Sequence, residues 1–158
     1  MLVLAAVVAS AAQSDEEDER PGLPLPRFAA LGSDKVNARA GPGTRYPVDW
    51  VFVRRGLPVE ITAEFELWRK VRDAEGAEGW VHKSLLSGRR TALIRGPQQR
   101  EIKREPDERA PTVAQAEAGV IGRLHRCRDA LCQMTVADRR GWIRRSQIWG
   151  VYPDEKIE

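Results

Sequence analysis

The chain has 158 residues, enough for one ordinary domain or two small ones. With 42% hydrophobic and 31% charged residues it is globular, which excludes a fibrous or wholly disordered protein, and ten prolines and thirteen glycines favour short elements with many turns. The net charge of +3 hides an uneven distribution: residues 13–20 carry −4 and residues 154–158 carry −2, so the part between them carries +9. A basic body suits an anionic partner such as wall polymer, lipid headgroups or nucleic acid, or is simply a soluble, arginine-rich surface.

In chain order, "MLVLAAVVASAA" at residues 1–12 is an apolar run ending in small residues, too short to span a bilayer and patterned as a secretory signal peptide without a basic start. A periplasmic or secreted protein with no transmembrane segment in its mature chain is therefore expected. Residues 13–34 form an acidic and then proline-rich segment that reads as disordered linker, with Pro21, Pro24 and Pro26 excluding helix. From Lys35 the pattern alternates. Val36, Ala38 and Ala40, then Val48, Trp50 and Phe52, then Val59, Ile61, Ala63 and Phe65 each fall at the period of two that places them on a core face. A strand through Leu67, Arg69 and Val71 pairs across "AEGAEG" with "WVHK", and Ser84 to Leu86 suit one helical turn. Five such short strands bury a core and lose most free edges by closing into a small barrel.

The same order recurs. Gly79-Trp80-Val81 and Ser84-Leu85-Leu86 match Gly141-Trp142-Ile143 and Ser146-Gln147-Ile148 at an offset of 62. "RRGLPVEI" answers to "EAGVIGRL", "YPV" to "APTV", and "VNAR" to "IKRE". The expected fold is all-β, with two tandem barrels at 35–88 and 101–153 joined by a linker at 89–100, in which Thr91 to Ile94 add a strand.

Gly41-Pro42-Gly43-Thr44 poses a choice between a phosphate cradle and a turn. A phosphate loop ends in Gly-Lys-Ser/Thr and opens a helix, whereas here Arg45 follows and Pro47 blocks helix formation. The glycines are expected to occupy positive φ in a turn. Cys127 and Cys132 lack the further ligands that a zinc site needs. In an exported chain they read as a disulfide pinning one hairpin, otherwise as two half-buried thiols.

The stretches "GLPLPRF", "VNARAGPGTRYPV", "EGWVHKSLLSGRR", "GWIRR" and "IWGVYP" resemble the bacterial SH3-like domain family, especially its exported tandem form in Gram-negative bacteria. The resemblance covers residues 22–153 and implies SH3-like barrels that are generally non-catalytic, and that bind cell-wall peptides or carry a partner enzyme to the wall. It also implies that Cys127 and Cys132 are bonded to each other. Cys-His hydrolysis would need a thiolate beside an imidazole, and only His82 and His125 exist, so no enzyme and no cofactor or metal are expected. The candidate groove lies on the first copy, with Tyr46, Trp68 and Trp80 as aromatic contacts and Arg39 and Arg45 to grip a carboxylate. The second copy has "REPDERA" in place of the glycine loop. The expected ligand is peptidoglycan peptide or a protein partner at the envelope. The alternatives are a scaffold for proline-rich segments and a cytoplasmic basic domain binding nucleic acid, which no aromatic-basic repeat favours.

Overall fold

The structure, a computed structural model, describes residues 22–158; the expected signal peptide and acidic tail lie outside the described residues. It is two antiparallel seven-stranded sheets, each curled around its own core. The first contains β1 (Arg27–Leu31), β2 (Val36–Arg39), β3 (Val48–Phe52), β4 (Pro58–Phe65), β5 (Trp68–Arg72), β6 (Glu78–His82) and β7 (Leu86–Ser87). The second contains β8 (Thr91–Ile94), β9 (Arg100–Lys103), β10 (Thr112–Ala116), β11 (Ile121–Arg128), β12 (Leu131–Val136), β13 (Arg139–Arg144) and β14 (Ile148–Trp149). The order β3-β2-β6-β5-β4-β1-β7 repeats with every number raised by seven. A 3₁₀ turn precedes the last strand of each sheet, at Lys83–Leu85 and Arg145–Gln147.

Each barrel starts earlier than alternation suggests. β1 and β8 fall in segments that read as linkers, yet each pairs between the fourth and seventh strands of its own sheet. Their pattern carries no alternation because Phe28, Ala29, Ala30 and Leu31 are all buried, as are three of the four residues of β8. Leu31, Val36, Ala38, Phe52, Val59, Ile61, Val71 and Val81 fill the first core, and Ile94, Ile102, Leu124, Met134, Ile143 and Ile148 fill the second. Full burial of such a side chain contributes about 1.5 to 3 kcal/mol.

Four expected core residues are exposed: Ala40, Val48, Trp50 and Phe65. Phe65 is 51% exposed because the register shifts between Ile61 and Ala63, and this bulge at Thr62 reverses which face the rest of β4 presents. Beyond it Glu64 turns inward against Arg69, which is buried and hydrogen-bonded to the carbonyls of Glu66 and Trp68. Trp50 is 49% exposed because β3 is an edge strand with a register shift of its own, and only Phe52 reaches the core. Alternation names the side of a strand, not whether another element covers it.

The two barrels meet along β1. Phe28 packs against Trp149 and Tyr152 at centroid distances of 5.0 and 4.6 Å. Thr91 Oγ1 donates to the Gly56 carbonyl at 2.7 Å, and Tyr152 Oη donates to Glu60 Oε2 at 2.8 Å. Arg90 closes the seam, donating to Gly150 O and to both oxygens of Glu155 while its guanidinium lies 5.9 Å from the Phe28 ring.

Candidate functional site

The loop between β2 and β3 is a turn, held by Gly43 N to Gly41 O at 2.9 Å, Tyr46 N to Gly43 O at 3.2 Å and Ala40 N to Pro47 O at 3.0 Å. Neither Gly41 nor Gly43 has positive φ, which corrects the expectation for both. Gly41 is needed for a different reason: a Cβ there would lie 2.6 Å from the Tyr46 ring. The corresponding loop of the second barrel repeats the three bonds, with Asp107 N to Glu105 O, Ala110 N to Asp107 O and Arg104 N to Pro111 O. Glu105 therefore stands where Gly41 does, and Ala110 where Tyr46 does. The bulky ring and the missing side chain are one exchange. The register also corrects the equivalence of "VNAR" with "IKRE" by two residues: Arg39 opposes Trp80 and Lys103 opposes Trp142, so Ala38 corresponds to Ile102.

The five candidate residues are brought to one side of the first barrel. Cross-strand partners point the same way, so Arg39, Trp80 and Lys70 form a row across β2, β6 and β5. Trp68 lies in the neighbouring row beside His82, ring edge to ring face at 5.4 Å. Arg39 Nη1 donates to Tyr46 O at 2.9 Å and Thr44 O at 3.3 Å, and the Arg45 guanidinium lies 5.1 Å from the Tyr46 ring. Arg39 thus braces the loop, while Arg45 is exposed at its tip and Tyr46 is half-buried against Gly41. His82 Nδ1 is 2.7 Å from Ser84 Oγ at the start of the 3₁₀ turn. His125 lies on the other barrel, between Thr135 Oγ1 and the Arg140 guanidinium.

The same rows on the second barrel form a cavity of about 430 Å³, lined by Lys103, Trp142, Leu131 and Arg144. Beside it a cleft of about 1130 Å³ opens at the seam. The two share the Arg144–Glu108 ion pair as a partition. Phe28, Trp149, Tyr152, Ile148 and Leu131 give the cleft an aromatic and aliphatic wall. Charges of both signs rim it. Among the described residues the side chains of Arg95, Arg109 and Asp129 have no hydrogen-bond or ion-pair partner.

Arg145 organises this cleft. Its Nε donates to Asp129 O at 3.0 Å, and Nη1 donates to Tyr152 O and Glu155 O at 2.6 and 2.7 Å, tying the β11–β12 hairpin turn to the segment after β14. The hairpin is closed by the Cys127–Cys132 disulfide, whose cysteines are register partners and buried. Cys127 also exchanges both backbone hydrogen bonds with Ile157. Burial, then the hydrogen bond to Glu60 and the charges of Glu60 and Glu155, push the Tyr152 phenol well above its ordinary value. Burial would raise the Glu155 carboxyl, but the Arg90 and Tyr152 hydrogen bonds and the charges of Arg90 and Arg145 outweigh it and hold it low.

Sequence reasoning missed this cleft. Phe28 lies in a segment whose prolines suit a linker, and Trp149 and Tyr152 carry no signal beyond their place in the repeat. Their convergence depends on how the repeats pack, which no repeat period encodes.

Fold and site together define a tandem pair of small β-barrels carrying a cleft of about 1130 Å³ at their junction. The chain belongs to the bacterial SH3 domain family, which matches residues 32–88 and 100–150. No curated protein matches it. Among solved structures it is similar to NlpC2 from Trichomonas vaginalis, with 14% identity and a TM-score of 0.36 over 79% of this chain and 48% of that one. It is also similar to NlpC1 from Trichomonas vaginalis, with 15% identity and a TM-score of 0.35 over 94% of this chain and 50% of that one. The chain thus spans about half the length of these two proteins.

Proposed function

We propose that this protein is a non-catalytic binding module of the cell envelope that holds a short peptide of the cell wall, or a peptide of a wall-associated partner, in the seam cleft. The observation that carries the reading is the cleft itself: an apolar aromatic wall of Phe28, Trp149 and Tyr152 with unpartnered Arg95, Arg109 and Asp129 on its rim. Such a wall takes up the side chains of a peptide, and cations and an anion at fixed positions orient its termini. The face of Arg39, Arg45, Tyr46, Trp68 and Trp80 is a second contact surface on the first barrel. Family membership supports a binding role. The apolar run at residues 1–12 and the Cys127–Cys132 disulfide support export to the periplasm or beyond.

A non-catalytic reading is supported by the chemistry in place. Both cysteines are bonded to each other, and each imidazole is turned to a hydroxyl rather than to a thiolate. The test is an NMR shift titration of the full chain with soluble muropeptides and then with a proline-rich peptide, beside co-sedimentation with purified sacculi. Movement of Leu131, Trp149 and Tyr152 resonances with muropeptides is expected. Full recovery in the supernatant at low salt, with no shifts at the cleft, would rule the reading out; shifts with the proline-rich peptide alone would replace it with a protein-protein scaffold.

A further inference from the structure

The outward face of the second barrel carries a charge pattern that the first lacks. In the first barrel, one cross-strand row reads Glu60–Arg72–Glu78, and Arg72 is paired with Glu60. The equivalent row across β11, β12 and β13 reads Arg123–Thr135–Arg140, with base in place of acid at both ends. The next two rows add Arg126 opposite Gln133 and Arg128 opposite Leu131. Among the described residues none of these four arginines forms an ion pair, and the carboxylates of Asp129, Asp138 and Glu158 around them pair with none. Arg126 and Arg128 also line a recess of about 280 Å³ together with Lys156 and Glu158.

His125 registers how close these cations are. It occupies the bulge of β11, where Arg140 donates to Nδ1 at 3.1 Å and Nε2 meets Thr135 Oγ1 at 2.7 Å. Burial first, and then the charges of Arg140, Arg123 and Arg126, hold its imidazole below the usual range.

We propose that this arginine face docks the protein on an anionic lipid surface, by contact with phosphate headgroups. Planar guanidinium groups suit phosphate oxygens, and cations spread over a sheet face match a layer of headgroups better than one bound ion. The contact is peripheral, because every exposed large apolar side chain among the described residues lies between Leu25 and Leu67, outside this face. The same absence disfavours single-stranded nucleic acid, which needs exposed stacking rings, and the ring in this sheet face, Trp142, is buried. The inference does not depend on what occupies the seam cleft.

The experiment is co-flotation of the full chain with vesicles of phosphatidylcholine alone, or with about 30% phosphatidylglycerol, which makes the surface strongly anionic. Binding is expected only to the anionic vesicles and is expected to fade as salt is raised. An arginine near such a surface contributes about fivefold, so Arg123→Gln with Arg126→Gln should weaken partitioning by about 25-fold. Arg54→Gln with Arg104→Gln removes the same net charge elsewhere and should leave it nearly unchanged. No flotation with anionic vesicles, an equal loss in both double variants, or tighter binding to duplex DNA at equal phosphate concentration would each overturn the proposal.

Discussion

The ring of Tyr46 lies flat on the backbone of Gly41, so near that a methyl group at position 41 would sit 2.6 Å from it. Gly41→Ala should therefore displace the ring and cost about 1 to 3 kcal/mol, as overpacking does. In a Tyr46→Ala background the same change should cost a few tenths of that, because the ring is then gone; in the second barrel, where Ala110 takes the ring's place, the position of Gly41 carries the side chain of Glu105. Urea denaturation of the four proteins closes the cycle. An equal cost of Gly41→Ala in both backgrounds would show that the glycine serves the backbone alone.

This pairing also marks what the sequence could and could not reveal. The glycines stood out, but their partner was three to five residues away across a turn, and residue type alone pointed to positive φ. Alternation located β2, β4 and β6, since one face of those strands is core and the other open, and the repeat located their second copies, with β9 two residues out of step. Alternation failed at Phe65, where the bulge at Thr62 inserts one residue and reverses the faces. It was silent at β1, which is buried along its length, whereas the strand expected at Thr91 to Ile94 is β8 and pairs within the second barrel. Strand register puts Arg39, Trp80 and Trp68 on one side of the first barrel, and Arg39 holds the loop that carries Arg45 and Tyr46 beside them. The seam cleft depended on Phe28 meeting Trp149 and Tyr152, a contact between copies that leaves no periodic trace.

The disulfide holds the hairpin that forms one wall of the cleft. Cys127 and Cys132 enclose only Arg128 to Leu131, so little chain entropy is removed, and replacement of both by Ala should cost about 2 kcal/mol, near the low end for a disulfide. Ile157 should also loosen, since it pairs with the Cys127 backbone. Hydrogen exchange at the Ile157 and Cys127 amides checks this. Unchanged protection in the double variant would mean that the tail is held by Arg145 rather than by the hairpin.

His125 contributes to the acid side of the stability curve. Its imidazole is held below the ordinary value by burial and by Arg140, Arg123 and Arg126, so the unfolded chain takes up a proton more readily than the folded one. That contribution is complete above about pH 6.5 and is lost as pH falls below it. The carboxyls of Glu101 and Glu155, which are held low, act in the separate window below about pH 4.5. Denaturation of wild type and His125→Gln at pH 7.5 and about 5.5 should show a smaller drop in the variant. Identical drops would assign the slope to another group.

The Tyr152–Glu60 hydrogen bond is one of the contacts that cross the seam. Glu60 is 7% exposed, so Tyr152→Phe leaves Oε2 of a buried carboxylate without its donor while Arg72 remains on Oε1. The expected cost is about 1 to 3 kcal/mol. It should depend on pH in a defined direction. The Tyr152 phenol is raised by burial, by the hydrogen bond to Glu60 and by the charges of Glu60 and Glu155, so its contribution is full below the ordinary phenol value of about 10. Above that pH the unfolded chain releases the proton first and the contribution declines. The stability gap between wild type and Tyr152→Phe should thus be constant from about pH 7 to 9 and narrow beyond pH 10. Phe28→Ala, which leaves the hydrogen bond in place but removes the ring between Trp149 and Tyr152, should lower stability by about 3 kcal/mol with no such narrowing. A gap for Tyr152→Phe that stays flat through pH 11 would mean that the phenol contributes its ring to the seam and not its proton.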